Sequence, residues 1–116
     1  MSNIEHFDSN PKLSRVVVHQ GVAWLSGIVA DDCSQDISGQ TRQVLTRLEA
    51  LLASVGSDKS RVLSAQIWMK DMKADVDAMN AEWIEWCETP PPARATCQVS
   101  FDDPDIRIEL IATAAV

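Results

Sequence analysis

At 116 residues with 46% apolar content, the chain has the length and composition of one globular domain spanning residues 1–116, which excludes a disordered polyelectrolyte. A net charge of −7 excludes the basic stripe of a general nucleic-acid binder. No apolar run approaches the roughly 20 residues of a membrane-spanning helix.

Residues 1–12 read as a polar lead-in ending at Asn10-Pro11, without the basic and then apolar stretches of a secretion signal. Arg15 to His19 and Val22 to Ile28 are two short β-rich runs. Gln20-Gly21 between them is a two-residue hairpin connection. Residues 29–35 form a polar loop. Asp36 then caps a helix whose apolar face is Ile37, Thr41, Val44, Leu45, Leu48, Leu51, Leu52 and Val55, and Gly56 stands at its C-terminal cap. Arg61 to Met69 is β-rich. Asp71 opens a second helix with Val76, Met79, Trp83, Ile84 and Cys87 on its stripe, and Pro90-Pro91-Pro92 stops it.

Ala93 to Phe101 alternates. Ala93, Ala95, Cys97, Val99 and Phe101 are expected to face the core, and Arg94, Thr96, Gln98 and Ser100 the other way. Asp102-Asp103-Pro104-Asp105 is a turn. Beyond it Ile106, Ile108, Leu110 and Ala112 alternate with Arg107, Glu109, Ile111 and Thr113. The order β-β-α-β-α-β-β predicts an α+β fold with two helices on one face of a mixed sheet. The other face is expected to mix Arg94, Thr96, Gln98 and Glu109 with Val17, Trp24 or Leu25, and Ile111. Such a face suits a subunit interface better than solvent, so a homo-oligomer packing its sheets together is expected.

Arg94 is the first candidate for chemistry. A guanidinium inside a strand needs an anion, which is either a ligand carboxylate or a partner such as Glu109 or Asp32. Glu109, fifteen residues on, either holds a water or completes a structural ion pair. If the last two strands form a hairpin around 102–105, Glu109 shares a face with Arg94. Asn80 interrupts the second helix stripe and reads more readily as a fold-specifying hydrogen bonder than as a ligand contact. Ser26-Gly27 ends a strand, where glycine lets backbone N–H groups approach a ligand.

The remaining polar groups offer less. Cys87 and Cys97 read as small core residues, and Cys33 lies in an acidic loop that disfavours a thiolate. The three cysteines lack metal-like spacing, which points to reduced thiols in the cytoplasm. His6 and His19 support neither a triad nor a zinc site. Trp83 and Trp86 read as core and interface anchors. The clusters Asp31-Asp32 and 102–105 lack calcium-loop spacing.

Several segments together resemble the reactive-intermediate deaminase family, also called the YjgF family. They are Leu25-Ser26-Gly27, Gln40-Thr41 with its leucine stripe, Val55-Gly56-Ser57, Lys70-Asp71, Met79-Asn80 with Trp83, Pro92-Ala93-Arg94, and Ile108-Glu109. The resemblance spans residues 14 to 116. It implies a chorismate-mutase-like fold and a homotrimer with sites in the clefts between subunits. It also implies cofactor-free and metal-free hydrolysis of enamine/imine intermediates such as 2-aminoacrylate to 2-oxo acids and ammonia. By resemblance Arg94 grips the substrate carboxylate and Glu109 orients the attacking water. The main chain at Thr96 contacts the substrate nitrogen end, Ser26-Gly27 lines the cleft, and Asn80 supports it.

The chain departs from the family pattern at three places. It has no tyrosine before the first strand, where Leu13 and Ser14 stand instead. Ser26-Gly27 is followed by Ile28 rather than glutamine, and Thr96 occupies the usual cysteine position. A non-catalytic protein that binds small carboxylates or regulates a partner through the same cleft is the alternative. A nuclease is disfavoured by the charge.

Overall fold

The alternating and helical segments of the sequence become six strands and two helices in the computed structural model, which describes residues 3–88 and 90–116. In chain order these are β1 (Glu5–Ser9), β2 (Ser14–His19), β3 (Val22–Leu25), α1 (Ile37–Ser54), β4 (Val62–Met69), α2 (Met72–Trp86), β5 (Ala93–Gln98) and β6 (Ile108–Ala115). The strands form one mixed sheet in the order β1-β2-β3-β6-β4-β5. β5 runs parallel to β4, and every other pairing is antiparallel. This is the expected α+β class, with two helices packed on the sheet.

Local chemistry accounts for the elements. The Asp36 carboxylate accepts from the Gly39 N–H at 2.8 Å and starts α1. Gly56, at φ +79°, takes the left-handed conformation just past its end. Asp71 caps α2 by accepting from Ala74 N–H at 3.0 Å. Gln20 and Gly21 both have positive φ, as a tight turn between twisted strands demands. Val44, Leu45, Leu48 and Leu52 of α1 and Met79 and Trp83 of α2 are buried with Val16, Leu25, Ala65, Ile67, Met69, Ile108 and Leu110 of the sheet.

The structure corrects four expectations. First, the lead-in contains β1, antiparallel to β2. Asn10 is the hinge of a hairpin, its side chain accepting from Lys12 N–H at 2.8 Å and Leu13 N–H at 3.1 Å. Only Phe7 of β1 is half-buried, so no alternation marked it as a strand. Met1 and Ser2 lie outside the described residues. Second, Ile84 is 71% exposed, so the apolar stripe of α2 is narrower than its sequence suggests.

Third, β5 and β6 form no hairpin, because β4 lies between them. Fourth, β5 is oriented opposite to the expectation. Arg94, Thr96 and Gln98 pair with Ala65, Ile67 and Met69, which face the helices, whereas Ala95 and Cys97 pair with Gln66 and Trp68 on the open face. As an edge strand β5 is exposed on both sides, so apolar alternation there carries no information about burial. Its helix-side polar residues are put to use: the Gln98 side-chain oxygen accepts from Met72 N–H at 2.9 Å at the start of α2.

Gln40, fully buried in α1, ties two loops together. Its amide nitrogen lies 3.1, 3.0 and 2.9 Å from the carbonyls of Cys33, Gln35 and Asp105, and its oxygen accepts from Arg107 N–H at 3.0 Å. Removing it leaves three carbonyls and the Arg107 N–H at a part-buried junction without their partner, beside a fully buried void in α1. Gln40→Ala is therefore expected to lower unfolding stability by about 2–4 kcal/mol. A urea midpoint shifted by less than a quarter of that amount, at unchanged slope, would contradict the role.

Candidate functional site

β6 sets the first half of the site. Its alternation buries Ile108, Leu110 and Ala112 under the helices and sends Glu109 to the open face, opposite Trp68 of β4. β3 stops at Leu25, and the chain rejoins β6 only at Ile28, whose N–H and C=O bond to Leu110 at 2.8 and 2.9 Å. Ser26 and Gly27 bridge this break. The Ser26 hydroxyl donates to the Ser14 carbonyl at 2.6 Å, so its side chain anchors the bridge to β2.

Gly27 lies directly against the Glu109 carboxylate. A methyl at Gly27 would overlap an Oε of Glu109 and come within 2.9 Å of its Cδ. Gly27→Ala is therefore expected to displace the Glu109 carboxylate, a shift that a crystal structure of the variant would show. The fold should be retained, because Gly27 has no left-handed φ. A carboxylate left in place in the Ala variant would contradict this contact.

Glu109 is half-buried and has no hydrogen-bond or ion-pair partner among the described residues. Burial alone pushes its pKa above the usual carboxylate value. It borders a groove of about 370 Å³ with apolar walls from Trp68, Val99, Phe101 and Ile106 and two further carboxylates, Asp102 and Asp103. Such a carboxylate can hold a water and accept a proton from it.

Arg94 lies on the other side of the sheet. This corrects the expectation that it shares a face with Glu109. Its guanidinium carbon sits 5.6 Å from the centre of the Trp83 ring. No carboxylate lies within ion-pairing distance of it among the described residues, neither Glu109 nor Asp32. An exposed fork braced by an aromatic ring is ready to take a carboxylate from outside the chain. Thr96, half-buried, follows Arg94 on the same face of β5. Asn80, also half-buried, stands on α2 one turn before Trp83.

The six candidates thus fall into two groups. Gly27, next to Ser26, packs against Glu109 at the groove on the open face, Arg94 and Thr96 lie on the helix side of β5, and Asn80 stands on α2 one turn before the Trp83 on which Arg94 rests. Trp68 and Phe101 are wall residues that sequence reasoning did not single out. The signal for Trp68 is its row in the sheet, which exists only once β4 pairs with β6. Among the described residues no helix is long and apolar enough to cross a membrane.

The profile of the family described as Endoribonuclease L-PSP matches residues 4–116. A RutC family protein of Haemophilus ducreyi is 35% identical over 114 residues, covering 97% of each chain. The crystal structure of NMB1025 from Neisseria meningitidis, described as a member of the YjgF protein family, superposes with a TM-score of 0.93 at 35% identity. That match covers 97% of this chain and 94% of the other. A protein of Acinetobacter baylyi called 3-aminoacrylate deaminase RutC is 31% identical over 101 residues, covering 82% of this chain and 79% of that protein.

Proposed function

This chain belongs to the Endoribonuclease L-PSP family, which includes the YjgF and RutC proteins, and from that premise we propose that it hydrolyses reactive enamine/imine intermediates to 2-oxo acids and ammonia. A deaminase within the family supports the reaction class. The observation that carries the reading is a pair of unsatisfied opposite charges: Arg94, exposed on an edge strand, and Glu109, half-buried against Gly27. They lie on opposite faces of one sheet, so a complete site takes Arg94 from one copy and Glu109 from another. The assembly is a homotrimer with its sites between subunits, and the open face, where Trp24 is 46% exposed between Val17 and Thr113, supplies the interface. The whole chain works as one domain in the cytoplasm.

The chemistry needs no cofactor. Arg94 binds the substrate carboxylate with two parallel N–H donors. The imine carbon beside that carboxylate is already electrophilic. Glu109 orients a water and accepts its proton as oxygen bonds to the carbon. The imine nitrogen enters protonated, so this addition gives a neutral carbinolamine; Glu109 then returns the proton to nitrogen, the C–N bond breaks to release ammonia, and the hydroxyl proton passes to solvent as the C=O bond of the 2-oxo acid forms. Asn80 and the main chain at Thr96 steady the Arg94 side, and Ser26-Gly27 lines the Glu109 side. The net charge of −7 and the lack of a basic stripe speak against ribonuclease action despite the family's name.

The test is ammonia release from imines made in situ by an amino-acid oxidase. Protein-dependent acceleration over spontaneous hydrolysis is expected. Binding of 2-oxo acids without acceleration would instead favour a binding or regulatory protein that uses the same cleft.

A further inference from the structure

We propose that the small cavity formed by Trp83, Ile84, Cys87 and Pro91 is a side-chain subsite. It makes this chain prefer 2-imino acids with an aliphatic chain of about four carbons over the much smaller 2-aminoacrylate. The inference rests on the deaminase reading in one respect, that Arg94 takes the substrate carboxylate.

The cavity holds about 150 Å³. At about 30 Å³ per water-sized group, that is room for about five heavy atoms. Its walls are an indole, a branched alkyl group, a thiol and a proline ring, none of which offers a charge. Burial pushes the Cys87 thiol up, so this wall stays neutral at neutral pH.

Two observations tie the cavity to Arg94. Trp83 is both a cavity wall and the ring on which the guanidinium rests. Cys87 lies close enough for the Arg94 charge to pull against the effect of burial on its thiol. In a 2-imino acid the carboxylate and the side chain are both attached to the imine carbon. A ligand held by Arg94 therefore carries its side chain past Trp83 toward the cavity. Ile84 supports the same picture. It is a large apolar residue left 71% exposed on a helix whose neighbouring positions include Glu82 and Glu85. An aliphatic ligand would give it an apolar partner.

Calorimetry with the product acids tests the subsite without requiring turnover. The full-length protein is titrated with 4-methyl-2-oxopentanoate and with pyruvate, which differ by three carbons. At about fourfold per buried methylene, the larger acid is expected to bind tens of times more tightly. Ile84→Asp places a charge on the wall from an exposed position, and Cys87→Phe fills the cavity. Each is expected to reduce the preference to about threefold or less, and to lower the kcat/KM ratio of the leucine-derived imine to 2-aminoacrylate in parallel. Equal wild-type affinities, or a preference that survives both variants, would overturn the subsite. Turnover without the size preference would overturn it too and leave the deaminase reading standing. A preference that responds to both variants in a protein without turnover would uphold the subsite and overturn the deaminase reading.

Discussion

Arg94→Ala is expected to lower kcat/KM for imine hydrolysis by about 10²- to 10⁴-fold. The removed contact is a bidentate, charge-assisted one, at about 1.5–3 kcal/mol for each hydrogen bond. The fold should persist, because the side chain is exposed and rests on the face of Trp83. Arg94→Lys should recover little of the loss, since an ammonium supplies one point charge where two parallel donors are needed. Steady-state ammonia release, with circular dichroism as the folding control, checks both variants. Near wild-type turnover in Arg94→Ala would remove the carboxylate site from the account.

Glu109→Gln is expected to lower kcat by about 10²- to 10⁴-fold, the range for a positioned acid–base group, while leaving 2-oxo acid affinity nearly unchanged. The amide keeps the shape against Gly27 and loses the ability to take a proton. Burial raises the Glu109 pKa, and its working form is the carboxylate. Wild-type turnover should therefore fall as pH drops through a value above that of an ordinary glutamate, and this acid limb should vanish in the variant. For stability the sign is the reverse of that for a salt-bridged acid. A raised folded-state pKa favours the protonated form, so its contribution is fully present below the unfolded-state pKa and lost as pH rises through the folded-state value. If affinity, turnover and melting temperature all fell together, Glu109 would be a structural group.

The helices were readable because burial enforces their period. Leu48, Leu52 and Met79 point inward, and aspartates cap both N-termini. β6 was readable for the same reason, with alternate residues buried along its whole length. β1 and β5 are edge strands, where neither face is sealed, so composition and burial part company. In β5 that reversed the assignment of faces and put Arg94 on the same face as Glu109, whereas the sheet separates them. The neighbours of a strand are a long-range property. β4 inserts between β5 and β6, although the two are joined by a turn of the kind that closes a hairpin. The contact of Gly27 with Glu109 depends on the same long-range pairing, through the bridge between Ile28 and Leu110. The separation of the two charges gives the proposed intersubunit site its physical basis.

Mixing the two inactive variants tests that site most directly. Arg94→Ala and Glu109→Gln proteins are unfolded together, refolded as mixed assemblies, and assayed for ammonia release. If each site takes its arginine from one copy and its glutamate from another, random assortment restores an intact pair at about one quarter of the interfaces. The account predicts about that fraction of wild-type activity from two proteins that are each nearly inactive alone. Mixed assemblies, verified by mass spectrometry, that stay as inactive as their parents would contradict it.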